Sequence, residues 1–154
     1  MHVIVATDGS KQSLAAARYA RDVLDAGKVT DVSVVAVLRP LAAVSFANDL
    51  SADDRERVGL ESVSFRAAAE SSVRVVAEVF AGWGPRVHRR IRSGSPANEL
   101  IKAARSLEAG LVVVAAGGRG LSDTVLIGST AQRVQHSAPC PVLVVRPTPR
   151  RKRG

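Results

Sequence analysis

"VVVAAGGRGLSDTVLIGST", residues 112–130, passes from a solid apolar run into a glycine-rich stretch and leaves it through Gly128-Ser129-Thr130. From Leu111 to Ala115 every position is apolar, as in a strand of a parallel sheet covered by helices on both faces. Gly117, Gly118 and Gly120 then break the run. Ser129 and Gln132 have capping-box spacing, so a helix is expected to begin with Ser129 as its N-cap and to be bounded by Pro139. A buried strand that opens into glycines and closes on a helix start is one way to present backbone amides to an anion. It is equally an ordinary way to turn a corner, and the rest of the chain has to decide.

Working outward, strands and helices alternate. His2 to Thr7 is a short β-branched run. Ser10 starts a helix with Leu14, Ala17, Ala20 and Leu24 on one face, ending near Gly27. Val32 to Leu38 is a second apolar strand, stopped by Pro40, and 41–50 form a loop without strong pattern. A long helix follows Ser51, with Asp53 and Asp54 suited to its first turn. Its sheet-packing face is expected to carry Val58, Ser62, Phe65, Ala69, Ser72, Val76 and Val79, before Gly82-Trp83-Gly84-Pro85 ends it. Arg86 to Arg92 alternates and is polar, as suits a sheet edge, with His88 a surface residue. Ser95-Pro96 opens a third helix that turns Ala97, Leu100, Ile101, Ala104 and Leu107 inward and stops at Gly110. Val142 to Val145 is the last strand.

This order, five strands alternating with four helices, implies an α/β fold: a parallel sheet sandwiched between helices, since each crossover is right-handed. In such sheets ligands bind beyond the carboxyl ends of the strands, where the strand order reverses. Thr7-Asp8-Gly9-Ser10, Val37-Leu38 and Ala115-Ala116-Gly117-Gly118 therefore fall along one edge. Each has two readings. Asp8 is placed to form an Asx turn, or to accept from ribose hydroxyls or meet phosphate through a divalent metal. Val37 is core, or covers one face of a base. The glycines are a turn, or let amides approach an anion with no Cβ in the way. Arg119 offsets negative charge or sits in solvent. Ser129 is the N-cap of a helix whose first amides would also point at an anion.

Composition narrows the classes. The chain has 154 residues, 46% of them hydrophobic, with a mean hydropathy of +0.09, which fits one soluble domain with a substantial core. No apolar run approaches the roughly 18 residues of a membrane span. The start lacks the basic n-region of a secretory signal, and the lone Cys140, between two prolines, reads as a packing residue in a reducing cytoplasm. Five of the eight net positive charges (Arg146, Arg150, Arg151, Lys152 and Arg153) lie in the last nine residues, which contain no acid. Residues 147–154 thus read as a disordered basic tail, the only part suited to nucleic acid. The body, 1–146, shows neither zinc spacing nor an aromatic platform for stacking a strand of bases.

Common nucleotide motifs do not account for the glycine-rich stretch. No Gly-Lys-Ser/Thr makes a P-loop, and a dinucleotide fingerprint begun at Gly118-x-Gly120 would meet Asp123 in place of its third glycine. A flavin site would want more aromatic residues, and a phosphoacceptor Asp is missing from the end of the third strand, where Arg92-Ser93 stands.

The stretch resembles the universal stress protein family. The ATP-binding branch of that family carries Gly-x2-Gly-x9-Gly-Ser/Thr between its fourth strand and last helix, and here the segment reads Ala115-x2-Gly118-x9-Gly128-Ser129. The flanks agree: Leu111 to Val114 before it, then Val134, His136 and Ala138-Pro139-Cys140-Pro141-Val142 after it. Val5-Ala6-Thr7-Asp8-Gly9-Ser10 is similar to the family's first strand and turn. The resemblance covers residues 2–146, least well at 41–57.

It implies a three-layer sandwich with strand order 3-2-1-4-5 and a site for ATP, AMP or cyclic AMP, with magnesium as a companion. Ala6, Thr7 and Asp8 would contact the ribose or the metal–phosphate region, and Val37 would lie beside adenine. Val114, Ala115, Gly118 and Arg119 would approach ribose and phosphates, while Gly128, Ser129 and Thr130 would hold phosphate at the helix start. A homodimer through Val142 to Val145 is implied as well, which would remove an apolar edge from solvent. Hydrolysis, if any, would be slow, because no positioned general base can be picked out. The departure is Ala115, where the pattern has glycine. If that position needs a positive φ or close ligand approach, nucleotide binding weakens or is lost and a nucleotide-free scaffold remains. If the strand simply continues through it, alanine is harmless.

Overall fold

The computed structural model describes residues 1–40, 52–117 and 127–147. Five strands, β1 (His2–Thr7), β2 (Asp31–Leu38), β3 (Arg86–Ser93), β4 (Leu111–Ala115) and β5 (Val142–Val145), alternate with four helices. The helices are α1 (Lys11–Val23), α2 (Ala52–Val79), α3 (Pro96–Ser106) and α4 (Ser129–Ser137). All strand pairs are parallel and the sheet order is β3-β2-β1-β4-β5. The order reverses between β1 and β4, since the chain builds outward from β1 to β3 and then crosses back to β4. That reversal leaves a crevice at the carboxyl ends of β1 and β4.

Each face of the sheet buries its own core. Val3, Val5, Val32, Val34 and Val113 face α1 and the second half of α2, through Ala16, Ala17, Ala20, Val73 and Val76, with Phe80 just past the end of α2. Ile4, Val35, Val112 and Val114 face α3 and α4, through Ala97, Leu100, Ala103, Ala104, Ala131 and Val134. Small residues on the helices and β-branched residues on the strands let the layers approach closely. Among the described residues no helix is long and apolar enough to cross a membrane.

Several expected boundaries shift. The first helix ends at Val23 and not near Gly27: Leu24 turns to an extended C-cap, and Ala26–Lys28 forms a single 3-10 turn capped by Asp25. Leu107, expected on the inner face of the third helix, is its C-cap and packs only at the edge of the core. The cap of α4 also differs from expectation. Gly128, not Ser129, is the N-cap (φ −61°, ψ 157°), and Ser129 is the first helical residue. Gln132 does not reach back to close a capping box but donates from Nε2 to the Ile127 carbonyl at 3.0 Å. On α2, Val76 is buried and Ala69 and Val79 are partly so, but Phe65 is 55% exposed and does not pack on the sheet. The side chains of Val58 and Ser62, the 41–50 loop, the glycine-rich residues Gly118, Arg119 and Gly120, and tail residues 148–154 all lie outside the described residues.

Candidate functional site

Strand β1 ends at Thr7, and the chain must then enter α1 at once. Gly9 makes the turn at φ +78°, a conformation in which a Cβ would be strained. The Asp8 carboxylate accepts from the Ser10 amide at 2.9 Å, an Asx turn, and the Ser10 hydroxyl accepts from the Ser13 amide at 3.1 Å as N-cap of α1. Asp8 thus has the local turn role, while its side chain stays exposed at the strand end. Thr7 is buried, and its hydroxyl is a hub. It hydrogen-bonds with Ser13 Oγ at 3.0 Å and with Ser72 Oγ of α2 at 2.7 Å, and accepts from the Gly9 amide at 3.2 Å. One threonine therefore joins the end of β1, the start of α1 and the later part of α2.

Across the crevice, β4 runs in register with β5 through its last residue, Ala115 opposite Val145. Glu108 is the one described non-glycine residue with positive φ, so Ala115 is ordinary extended strand. The Ala116 carbonyl accepts from the Gly128 amide at 2.6 Å, which draws the start of α4 back against the end of β4. With glycine as the N-cap, no cap side chain engages the first amides of α4, and Ser129 and Thr130 lie at the positive end of the helix dipole.

Together these ends line a cleft of about 810 Å³, a size suited to a mononucleotide or cofactor. Ala6, Thr7, Asp8, Val37, Val114, Ala115, Gly128, Ser129 and Thr130 all border it. Gly118 and Arg119, the other two expected site residues, lie outside the described residues. The cleft also has a wall that the sequence reading did not assign to it: Phe65, Ala68, Ala69 and Ser72 of α2, with Arg39 and Pro40 just beyond β2. Arg39 was within reach of the strand-end rule, since it directly follows Leu38. Phe65 was not, because its helical spacing is the same whether its face meets a sheet or a cleft.

Among the described lining residues Asp8 is the single carboxylate and Arg39 the single cation. No group of three or more metal-ligating side chains occurs among the described residues. A divalent ion here would rest on Asp8 and on the ligand's own phosphates, as magnesium usually does. The donor set, amides at a helix start with one carboxylate and apolar flanks, suits an anionic ligand that has an apolar part.

Comparison with known proteins agrees with this architecture. Residues 1–146 match the model of the universal stress protein family. A universal stress protein of Methanocaldococcus jannaschii is 32% identical over 144 residues, spanning 94% of this chain and 81% of that protein. Among solved structures, universal stress protein UspA from Lactobacillus plantarum superposes with a TM-score of 0.77 at 23% identity, covering 95% of this chain and 97% of that one. A universal stress protein in complex with cAMP gives 0.68 at 23% identity, covering 96% and 98%. One from Archaeoglobus fulgidus in complex with dAMP gives 0.65 at 17%, covering 95% and 98%. At these identities the structural matches speak to the fold.

Proposed function

Because the chain belongs to the universal stress protein family, we propose that its cleft binds an adenine nucleotide and that the protein acts as a nucleotide-responsive regulatory module. The observation that carries this reading is the strand geometry at Ala115. Alanine in place of the motif glycine would be disabling at a positive φ, but β4 continues through it in register with Val145. Related proteins solved with cAMP and dAMP support an adenine ligand in particular.

In this reading Gly128, Ser129 and Thr130 present the start of α4 to phosphate. Asp8 faces the ribose or a phosphate-bound magnesium ion with the carboxylate oxygen that the Ser10 amide leaves free. Val37 lies beside the base, Ala6 and Val114 support the floor, and Ala115 lets the ribose approach over a single methyl. Gly118 and Arg119 would complete the phosphate side. ATP, AMP and cyclic AMP are the candidate ligands. The protein is proposed to work in the cytoplasm as a homodimer through β5, whose four residues are all partly exposed at the sheet edge.

The test is a thermal shift with ATP, AMP and cyclic AMP, with and without magnesium, on the wild type and an Ala115→Gly variant. A ligand that binds only the folded state raises the melting temperature. The expected result is a shift for at least one nucleotide, changed less than about threefold in Kd by Ala115→Gly, whose cost is instead roughly 0.5–1 kcal/mol of stability from glycine in a strand. Absence of any shift at millimolar nucleotide in the wild type, with a shift restored by Ala115→Gly, would establish the nucleotide-free alternative. The same preparations should sediment as dimers, and a monomer would remove the dimer from the proposal.

A further inference from the structure

Helix α2 is longer than the sheet it crosses. Its 28 residues span about 42 Å, whereas the eight residues of β2 span about 26 Å. Its inner stripe therefore meets two different surroundings. Val73 and Val76 in its last turns, and Phe80 just past its end, are buried against β2 and its neighbours. Ser72 stands one turn before Val76 on the same stripe, Ala68 and Ala69 two and Phe65 three, at positions i, i+3, i+4 and i+7 counted from Phe65, and these four border the cleft beyond the strand ends. Ser72 is pinned there by its 2.7 Å hydrogen bond to Thr7, so the overhanging stripe is held in register with the end of β1.

Phe65 is one of only three phenylalanines in the chain and is 55% exposed. Just past the end of the helix, by contrast, a large apolar side chain is buried by the sheet, as Phe80 is at 1%. Here the ring borders an apolar-flanked cleft, and the two residues after it on the stripe are alanines, which leave room beside it for a flat ligand. An exposed phenyl face at a cleft wall gains most from a second planar ring laid against it. Phosphate and ribose present no such ring, and a base does.

We propose that Phe65 is the stacking surface for the base of the bound nucleotide, carried over the strand ends by the overhang of α2 and positioned by the Thr7–Ser72 hydrogen bond. This inference rests on the nucleotide reading of the cleft. It adds to that reading a contact made by a helix and not by a strand end. Because every base has a π-face, the contact should serve affinity and not base identity.

The experiment measures Kd by calorimetry for ATP, GTP, ribose 5-phosphate and inorganic tripolyphosphate, on the wild type and on Phe65→Ala, Phe65→Leu and Phe65→Trp. Phe65→Ala should weaken ATP and GTP by a similar factor, about tenfold, while leaving the two baseless ligands within about twofold. Phe65→Trp should retain nucleotide affinity, and Phe65→Leu, which keeps apolar bulk without a ring, should fall between. The position is exposed, so the melting temperatures of the free variants should stay close to wild type. Equal nucleotide affinity in the wild type and Phe65→Ala would overturn the inference alone, as would an equal loss for tripolyphosphate. A wild type that binds none of the four ligands would overturn the nucleotide reading and this inference with it.

Discussion

At the amino ends of β1, β2 and β3, six polar side chains answer one another, whereas at the carboxyl ends Asp8 and Arg39 are exposed along a cleft. His2 Nε2 lies 2.7 Å from Ser33 Oγ, which also accepts from Arg90 Nε at 3.0 Å. Asp31 pairs with His88 at 2.9 Å and with Arg86 at 3.1 Å. In the strand register His2, Asp31 and Arg86 form one row and Ser33 and His88 the next on the same face; Asp31–Arg86 is a directly opposite pair, and the other contacts are diagonal. Each charge or hydroxyl is matched within the sheet, so the cluster has the composition of a site and the wiring of a scaffold. The carboxyl end inverts this. Among the strand-end residues that line the cleft, Thr7 is the one fully engaged, while the glycine cap of α4 leaves the first helical amides without a cap side chain. The lesson is that polar residue count does not mark the site; polar groups facing a cleft without matched partners do.

The sharpest way to break the contrast is Ser129→Asp. A carboxylate at the first position of α4 would confront phosphate at close range, where two like charges about 4 Å apart near a protein surface repel by roughly 4 kcal/mol. Nucleotide affinity should fall by more than about a hundredfold on that figure. The unliganded protein should keep its stability or gain about 0.3–1 kcal/mol from the helix dipole. Calorimetry and thermal melts on the same variant check both halves, and nucleotide binding that persists would show the phosphate placed elsewhere.

Thr7→Val tests the strand-end residue of the cleft that is wired like the amino end. It keeps the shape and removes the hydroxyl shared by Ser13, Ser72 and the Gly9 amide. The buried partners left behind should cost about 1–3 kcal/mol of stability. For a chain of this size that lowers the melting temperature by about 2–12 °C, at about 2–4 °C per kcal/mol. A variant as stable as wild type would show that the hub is dispensable.

The smallest effect is expected at the amino end. The hydrogen bond from His88, helped by Thr30 and Arg86, holds the Asp31 carboxyl down at about 2 from an ordinary 3.8, against the opposing cost of desolvation. A depressed folded-state pKa contributes stability that is complete above 3.8 and is lost as pH falls toward about 2. Burial also lowers the His2 pKa, reinforced by His88 and Arg90 and opposed by Asp31, so its contribution is likewise present above 6.5 and lost on acidification. Asp31→Asn should flatten the denaturation midpoint against pH between 3.8 and about 2, while leaving nucleotide affinity at neutral pH unchanged. A change in that affinity would couple the two ends of the sheet and undo the contrast.

Much of the candidate site was legible because topology acts on sequence order. Once strands and helices alternate, Thr7-Asp8, Val37 and Ala115 must share one edge, and their identities point to the crevice between β1 and β4. Arg39 obeys the same rule. Gly128 was harder: Ser129 and Gln132 imitate a capping box, but the 2.6 Å bond from the Gly128 amide to the Ala116 carbonyl sets the chain entry and moves the cap back by one residue. Phe65 was read onto the correct helical face and assigned the wrong neighbour, since periodicity says which way a residue points along a helix and nothing about where the sheet stops.

Local chemistry therefore determined the elements, their order and the family resemblance: apolar strands, small-residue helix faces and a nine-residue interval between Gly118 and Gly128 are properties of the chain itself. Three things were decided only in the folded molecule: that Ala115 stays extended, that the amino-end histidines and arginines are consumed by one another, and that α2 runs past the sheet to overhang the cleft. Each depends on lengths and registers of elements far apart in sequence. Those quantities arise only when the layers pack.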